Sequence, residues 1–526
     1  MWQLQTGSKS TVGKNVTGRE ERGCLIYYAS SLIMIRHTQT VSINFTGGIV
    51  SPGLLLSILD VAAAARVTQV RFGLRQQLLI EVPGKFRQQF EEDCARQQIV
   101  FHPYGTAPNI TSSYPAADIF IHDSWLTEGI YKDVFSLFDY IPALKVNICD
   151  SRQTFTPFFS GHINWIAAEP SHYWHLFIRF PKSSRLFAWP DLIYTNNIGQ
   201  LSQCIESVLD TVPDVSNEEL YARVKERLEY TSRPATTELE LPPFHLPYYE
   251  GFNRHENHYW LGIYRRDEEF PVAFLQNVCN ICLETRTGQL YATSWKSLII
   301  RNIAPEHRRL WDYVLGKYGI NVRHAANELN WHVEDNSEDA LIIKRHIIRH
   351  FDNADVRTYG LCFSIRINPG NNCFGSIVIS KQEDKYKSRL KGHHRYDILY
   401  TQDFNPNSGN LLPYRTGVAK EHLGPYITSL CREFYENSAL TDPLLNYVAG
   451  QQTVMGVAHS EKVVHQCTRC LTVYDEAIGD PGQGVVPGTS YEQLPAGYQC
   501  SLCEAPVETF ATVPAASLGW LAGTQD

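Results

Sequence analysis

Over residues 67–80 (VTQVRFGLRQQLLI) apolar and polar side chains alternate, the two-residue period of a strand with one buried face. The apolar spacing just before it, over 54–65, suits a helix. The same cadence returns over 288–303 (GQLYATSWKSLIIRNI), followed by a helix-like stretch over 305–317. Two helix-and-strand units lying roughly 220 residues apart predict a duplicated architecture, with the seam in the Pro- and Glu-rich segment 231–247. Between and beyond them, 155–168, 174–180, 361–367 and 375–379 read as strands, and 204–209, 217–229, 344–351 and 427–436 read as helices. No low-complexity tract and no short repeat interrupts the pattern.

The longest apolar run, 25–35 (LIYYASSLIMI), is too short for the roughly 18–20 residues a bilayer span needs. It follows Arg19-Glu20-Glu21-Arg22 and lacks the small-residue cleavage pattern of a signal peptide. Fold-like periodicity starts only after Met34, so 1–33 is read as an extension or a misassigned start. With 526 residues, 43% apolar and 19% charged, the chain is expected to form several packed domains. A formal charge of −8 argues against a general binder of nucleic acid or anionic membrane. The thirteen cysteines are too sparse for a disulfide scaffold, which predicts a reducing compartment, the cytoplasm.

Four of those cysteines fall into two close pairs, Cys467/Cys470 and Cys500/Cys503. A Cys-x2-Cys turn aims two sulfurs at one point, and two such turns facing each other close a tetrahedral S4 cage for zinc or iron. Spacing alone leaves both metals open. The intervening residues (Val473-Tyr474-Asp475, Gly479-Asp480-Pro481, Pro487-Gly488-Thr489, Leu494-Pro495) and the final Phe510 resemble rubredoxin over about 46 residues. That resemblance implies one iron held by Cys467, Cys470, Cys500 and Cys503, passing single electrons between ferric and ferrous states. It also implies an aromatic core of Tyr474, Tyr491, Tyr498 and Phe510. Rubredoxins usually carry glycine after each pair, whereas this chain has Leu471 and Glu504, which would have to take a positive φ at about 1–2 kcal/mol each. Residues 461–510 hold seven acidic side chains against two basic, a net of −5 that either steers a basic partner or serves solubility.

The duplicated body resembles the siroheme nitrite and sulfite reductases, whose ferredoxin-like halves each carry a strand of the type Arg-x-Thr-x-Arg-Gln. Arg71, Arg75 and Gln76 stand at the matching places of the first half; Tyr291, Thr293, Trp295 and Lys296 stand in the second. By resemblance, Arg71, Arg75, Lys296 and Arg301 would line an anion- or cofactor-binding cleft. The family's Cys-x5-Cys and Cys-x3-Cys pairs, which hold a [4Fe–4S] cluster bridged to siroheme, are absent; the nearest spacings are Cys279-x2-Cys282 and Cys362-x10-Cys373. Cys279 and Cys282 are read as buried hydrophobes, and His255 and His258 as surface or hydrogen-bonded histidines. The glycines Gly47-Gly48 lack the lysine of a phosphate loop.

These readings predict an α+β chain: an extension at 1–33, ferredoxin-like half-domains at 34–105 and 236–330, and siroheme-domain-like α/β units at 106–235 and 331–447. A linker at 448–462, a rubredoxin domain at 463–512 and a tail at 513–526 complete it. The expected function is electron transfer by one iron on a non-catalytic body, in nitrite or sulfite assimilation, with a reductase or oxidoreductase as redox partner and without siroheme or a [4Fe–4S] cluster. The alternatives are an active siroheme-type reductase fed by its own rubredoxin, and a zinc-stabilised binding module.

Overall fold

The computed structural model describes residues 38–121, 124–153, 155–181, 185–236, 238–368, 374–383, 394–441, 463–480 and 483–514. The expected extension, the linker, Cys373 and all but the start of the tail lie outside the described residues.

Both alternating stretches fold as hairpins. Residues 67–80 contribute Gln69–Phe72 and the start of Leu78–Pro83; residues 288–303 contribute Leu290–Ala292 and Leu298–Ile303. Each is reversed by the same turn. Gly73 N–H donates to Gln77 O and Gln76 N–H to Gly73 O, as Thr293 N–H does to Ser297 O and Lys296 N–H to Thr293 O. Gln76 and Lys296 hold equivalent positive φ angles of 61° and 56°. The internal echo is thus a duplicated supersecondary unit.

The two halves are interleaved. The first sheet runs Phe270–Pro271, Gln69–Phe72, Leu78–Pro83, Thr38–Ile43, His102–Pro103, so its edge strand comes from the second half. The second runs Gly251–His255, His258–Ile263, Leu298–Ile303, Leu290–Ala292, Ile49–Val50, closed by a strand from the first half. Each exchanged strand leads directly into a helix, Pro52–Ala64 or Val272–Glu284. Ser51 caps the first of these by accepting the Leu54 N–H at 3.2 Å, and Pro52 presets its first turn. The two helices meet through Gln276 Nε2 donating to Asp60 Oδ1 at 2.7 Å. One core results, holding Val41, Leu59 and Ile80 together with Leu261, Cys279 and Ile300. Gly48 serves this exchange, since a Cβ there would lie 2.4 Å from the Ala292 carbonyl, whereas Gly47 makes room for Phe135 of the first α/β unit, whose ring would lie 2.2 Å from a Cβ.

The α/β units repeat one sheet plan. In the first, Thr111–Ser112, Val146–Cys149 and Ile163–Ala167 run parallel before Tyr173–Arg179 and Asp191–Tyr194 turn antiparallel. In the second, Trp331–Val333, Phe363–Arg366 and Ile377–Lys381 run parallel before Tyr396–Thr401 and Leu411–Val418. The strands Val146–Cys149 and Ile163–Ala167 are buried throughout, as strands covered on both faces must be. Residues 155–168 are not one strand. Pro157 and Gly161 flank a short 3-10 turn at Phe158–Ser160, and pairing begins only at Ile163.

The C-terminal module is a three-stranded sheet, Val473–Tyr474, Val463–Cys467, Phe510–Pro514, over a small aromatic cluster. Tyr474 and Tyr498 meet edge to face at 5.7 Å, and Phe510 lies 6.2–6.3 Å from Tyr498 and Tyr491. Each tyrosine hydroxyl finds an acceptor: Thr489 O at 2.8 Å from Tyr474, Val507 O at 2.6 Å from Tyr491, and Asp480 Oδ2 at 2.9 Å from Tyr498. No helix among the described residues is long and apolar enough to cross a membrane.

Candidate metal centre

The strand Val463–Cys467 ends in the first cysteine loop, and the second loop returns through the neighbouring strand Phe510–Pro514. Cys467 N–H donates to Thr472 O and Leu471 N–H to Cys467 O; Cys500 N–H donates to Ala505 O and Glu504 N–H to Cys500 O. The loops are therefore copies of each other. Leu471 and Glu504 occupy matching positions at φ 64° and 55°, the left-handed turn expected of a glycine.

The four sulfurs lie within 4.8 Å of one another, with Cys467–Cys503 at 3.6 Å and Cys470–Cys500 at 3.4 Å. A metal–sulfur bond of about 2.3 Å in a tetrahedron requires sulfurs about 3.8 Å apart, so this donor set fits one ion. Among the described residues it is also the one group of three or more His, Cys, Asp or Glu side chains close enough to hold a metal. The thiols share charge unequally. Cys470 is pulled down to about 6 by the Thr472 hydroxyl at 3.1 Å and the Thr472 N–H. Cys503 is pushed up to about 12: the Ala505 N–H favours its thiolate, but the other sulfurs and desolvation outweigh it. Four sulfurs so close together cannot all become thiolates without a cation among them.

The body places its sequence-selected cations differently from one another. Arg71 bridges Glu81 at 2.6 Å and Glu269 at 2.5 Å. Lys296, buried, binds Glu268 at 2.6 Å, Asp335 at 3.3 Å and the Glu334 carbonyl. Arg301, also buried, pairs with Glu128 at 2.5 Å, donates to Ala117 O and stacks on Tyr291. Arg75, carried at the tip of the first hairpin, reaches a cavity of about 530 Å³ between the two α/β units. There it is joined by Lys145, Arg179 and Arg366, and among the described residues no acidic side chain lines the space. Desolvation, with Arg179 close by, lowers Arg75 to about 9; desolvation, Arg75 and Arg179 lower Lys145 to about 8. His162 is driven down to about 3 by burial and the same cations, and as a neutral ring accepts the Lys145 N–H at 3.2 Å. Asn407, buried on the same wall, has neither amide atom hydrogen-bonded within the described residues. Lys145, Arg179, Arg366 and Asn407 were invisible to sequence reading because each is a single polar residue on a different strand end or loop.

Cys279 and Cys282 are buried in the helix Val272–Glu284, and burial pushes Cys279 up to about 12, as small hydrophobes would behave. His255 and His258 face each other across the Gly251–His255 hairpin.

Comparison with known proteins agrees with this division. Residues 464–510 match the rubredoxin family model, and the C-terminal module is a rubredoxin domain. A high molecular weight rubredoxin of Moorella thermoacetica is 41% identical over 49 residues, 9% of this chain and 21% of that protein. An anaerobic nitric oxide reductase flavorubredoxin of Pectobacterium carotovorum is 38% identical over 55 residues, 10% of this chain and 11% of that protein. The chain thus spans only about a fifth and a tenth of the length of these relatives. The body has a different likeness: the structure of the Mycobacterium tuberculosis NirA protein superposes with a TM-score of 0.57 at 14% identity, covering 78% of this chain and 83% of that one. At that identity the likeness is one of fold, and it bears out the duplicated α+β scaffold.

Proposed function

We propose that this chain is an electron-transfer protein in which Cys467, Cys470, Cys500 and Cys503 hold one iron. The observation that carries the reading is the convergence of the four sulfurs within 4.8 Å on two loops of matching backbone geometry. When bound, the iron supplies a one-electron ferric/ferrous couple. The residues do the rest: thiolates fix the coordination, the Thr472 and Ala505 N–H groups point at Cys470 and Cys503 to tune the potential, and the aromatic cluster excludes water. The body acts as a non-catalytic scaffold, and the redox partner is a reductase or oxidoreductase. The match of Arg71, Arg75 and Gln76 to the strand motif of the siroheme nitrite and sulfite reductases supports a place in nitrite or sulfite assimilation, and the free buried cysteines support a reducing, cytoplasmic setting.

One observation favours a second reading. Four cations and an unpartnered Asn407 around a 530 Å³ cavity suit a polyanion such as a siroheme-type tetrapyrrole, which would make the body a reductase fed by the rubredoxin iron. Metal analysis and the visible spectrum of purified protein separate the readings. One iron per chain with ferric–thiolate bands alone supports the carrier; added Soret and near-red bands support the reductase. One zinc with no iron removes electron transfer altogether.

A further inference from the structure

We propose that the cysteine-loop face of the rubredoxin domain docks on the mouth of the cationic cavity in the body of the same chain. This rests on the rubredoxin reading above and names the surface its metal-bearing end meets.

Two observations converge. Each cysteine loop projects a leucine into water: Leu471 is 65% exposed and Leu502 72%. Leu471 does so from a left-handed backbone position that a glycine would hold without strain, so the domain by itself gains little from this side chain. An apolar group kept there is useful when another surface covers it. The second observation is charge. Residues 463–514 carry six acidic side chains and one basic, a net of −5, and Glu504 and Glu508 are exposed on the second loop and just beyond it. The cavity offers the complement: Arg75, Lys145, Arg179 and Arg366 line it together with the apolar Leu186, Phe374 and Leu411, and no carboxylate among the described residues does. Cations recessed between low-dielectric walls focus an attractive potential toward an acidic visitor. The 21 residues between Thr441 and Val463 can span at most about 75 Å, so the domain stays at high local concentration around its own body. A separate protein or a second copy would have to compete with that tether.

The test uses full-length zinc-loaded chain, so that docking is read independently of electron transfer. A carbodiimide that joins carboxylates directly to amines is applied to an equal mixture of 14N- and 15N-labelled chains at low salt, followed by peptide mass spectrometry. The expected product is a single-isotope link from Glu504 or Glu508 to Lys145, reduced at least fivefold by 0.5 M salt, by Leu471→Gly and by Arg366→Glu. Leu471→Gly removes a strained, exposed side chain and keeps the fold, so its effect reports on docking. Mixed-isotope links would assign the face to a second copy and overturn the proposal. Absence of any Lys145 link, or equal links in wild type and Leu471→Gly, would overturn it too. The iron spectrum tests the electron-transfer reading separately.

Discussion

Glu504→Gly should make the metal module more stable, although it deletes a side chain beside a metal ligand. Glu504 holds φ 55°, where an L-residue loses about 1–2 kcal/mol relative to the right-handed region. Glycine removes that cost but gives back about 0.5–1 kcal/mol through its greater freedom in the unfolded chain. The Glu504 side chain is exposed, so little packing is lost, and the expected net gain is about 0.5–1 kcal/mol. Removing a negative charge from the edge of a four-thiolate site adds in the same direction at low salt and fades at high salt. Leu471→Gly relieves the same strain but forfeits the third of its side chain that is covered, worth a similar amount, so its stability should stay within about 0.5 kcal/mol of wild type. Because metal binding and folding of the module are coupled, the gain appears as metal affinity. Chelator competition on zinc-loaded protein at high salt should show Glu504→Gly binding about 2–5-fold tighter, with Leu471→Gly near unity. A Glu504→Gly variant no tighter than wild type at high salt would refute the claim that this loop is held against backbone strain.

Three further outcomes follow from the geometry. Cys470→Ser should abolish the ferric–thiolate absorbance while the thermal transition of the body persists, because the cysteine cluster and the body have separate cores; loss of both together would disprove that separation. Gly48→Ala should cost about 2 kcal/mol or more, since its Cβ would strike the Ala292 carbonyl at a φ of 82°, and limited proteolysis should expose the second half although the substitution lies in the first. Sulfate should raise the melting temperature of the body more at pH 7 than at pH 9. Lys145, held down to about 8 by desolvation and its neighbouring arginines, is charged below that pH and loses its proton above it, and Lys145→Gln should flatten the difference.

The metal centre was legible because a Cys-x2-Cys loop encodes its own geometry locally, down to the positive φ required of Leu471 and Glu504. The duplication was legible because the hairpins 69–83 and 290–303 carry their alternation within a dozen or so residues. The cavity was not. Lys145 precedes one parallel strand, Arg179 ends an antiparallel strand and Arg366 ends a strand of the other unit, so only the sheet order brings them together. Nor does a sequence motif reveal what faces a cation. Arg71, Lys296 and Arg301 find Glu269, Glu268 and Glu128 across segments distant in the chain or between elements, and Arg75 alone of the four reaches the cavity. The exchanged strands Ile49–Val50 and Phe270–Pro271 are two residues each, too short for any periodicity.

That exchange sets a timetable for synthesis. The hairpin 69–83 is complete long before Phe270–Pro271, the strand that seals its edge, has been translated. At about 5–20 residues per second the nascent chain waits on the order of 10–40 s with an open sheet margin and a helix lacking its mate. Folding of this body is therefore a rendezvous rather than a sequence of finished parts. A ribosome that stalls near the seam releases a product whose unsatisfied strand edge invites aggregation.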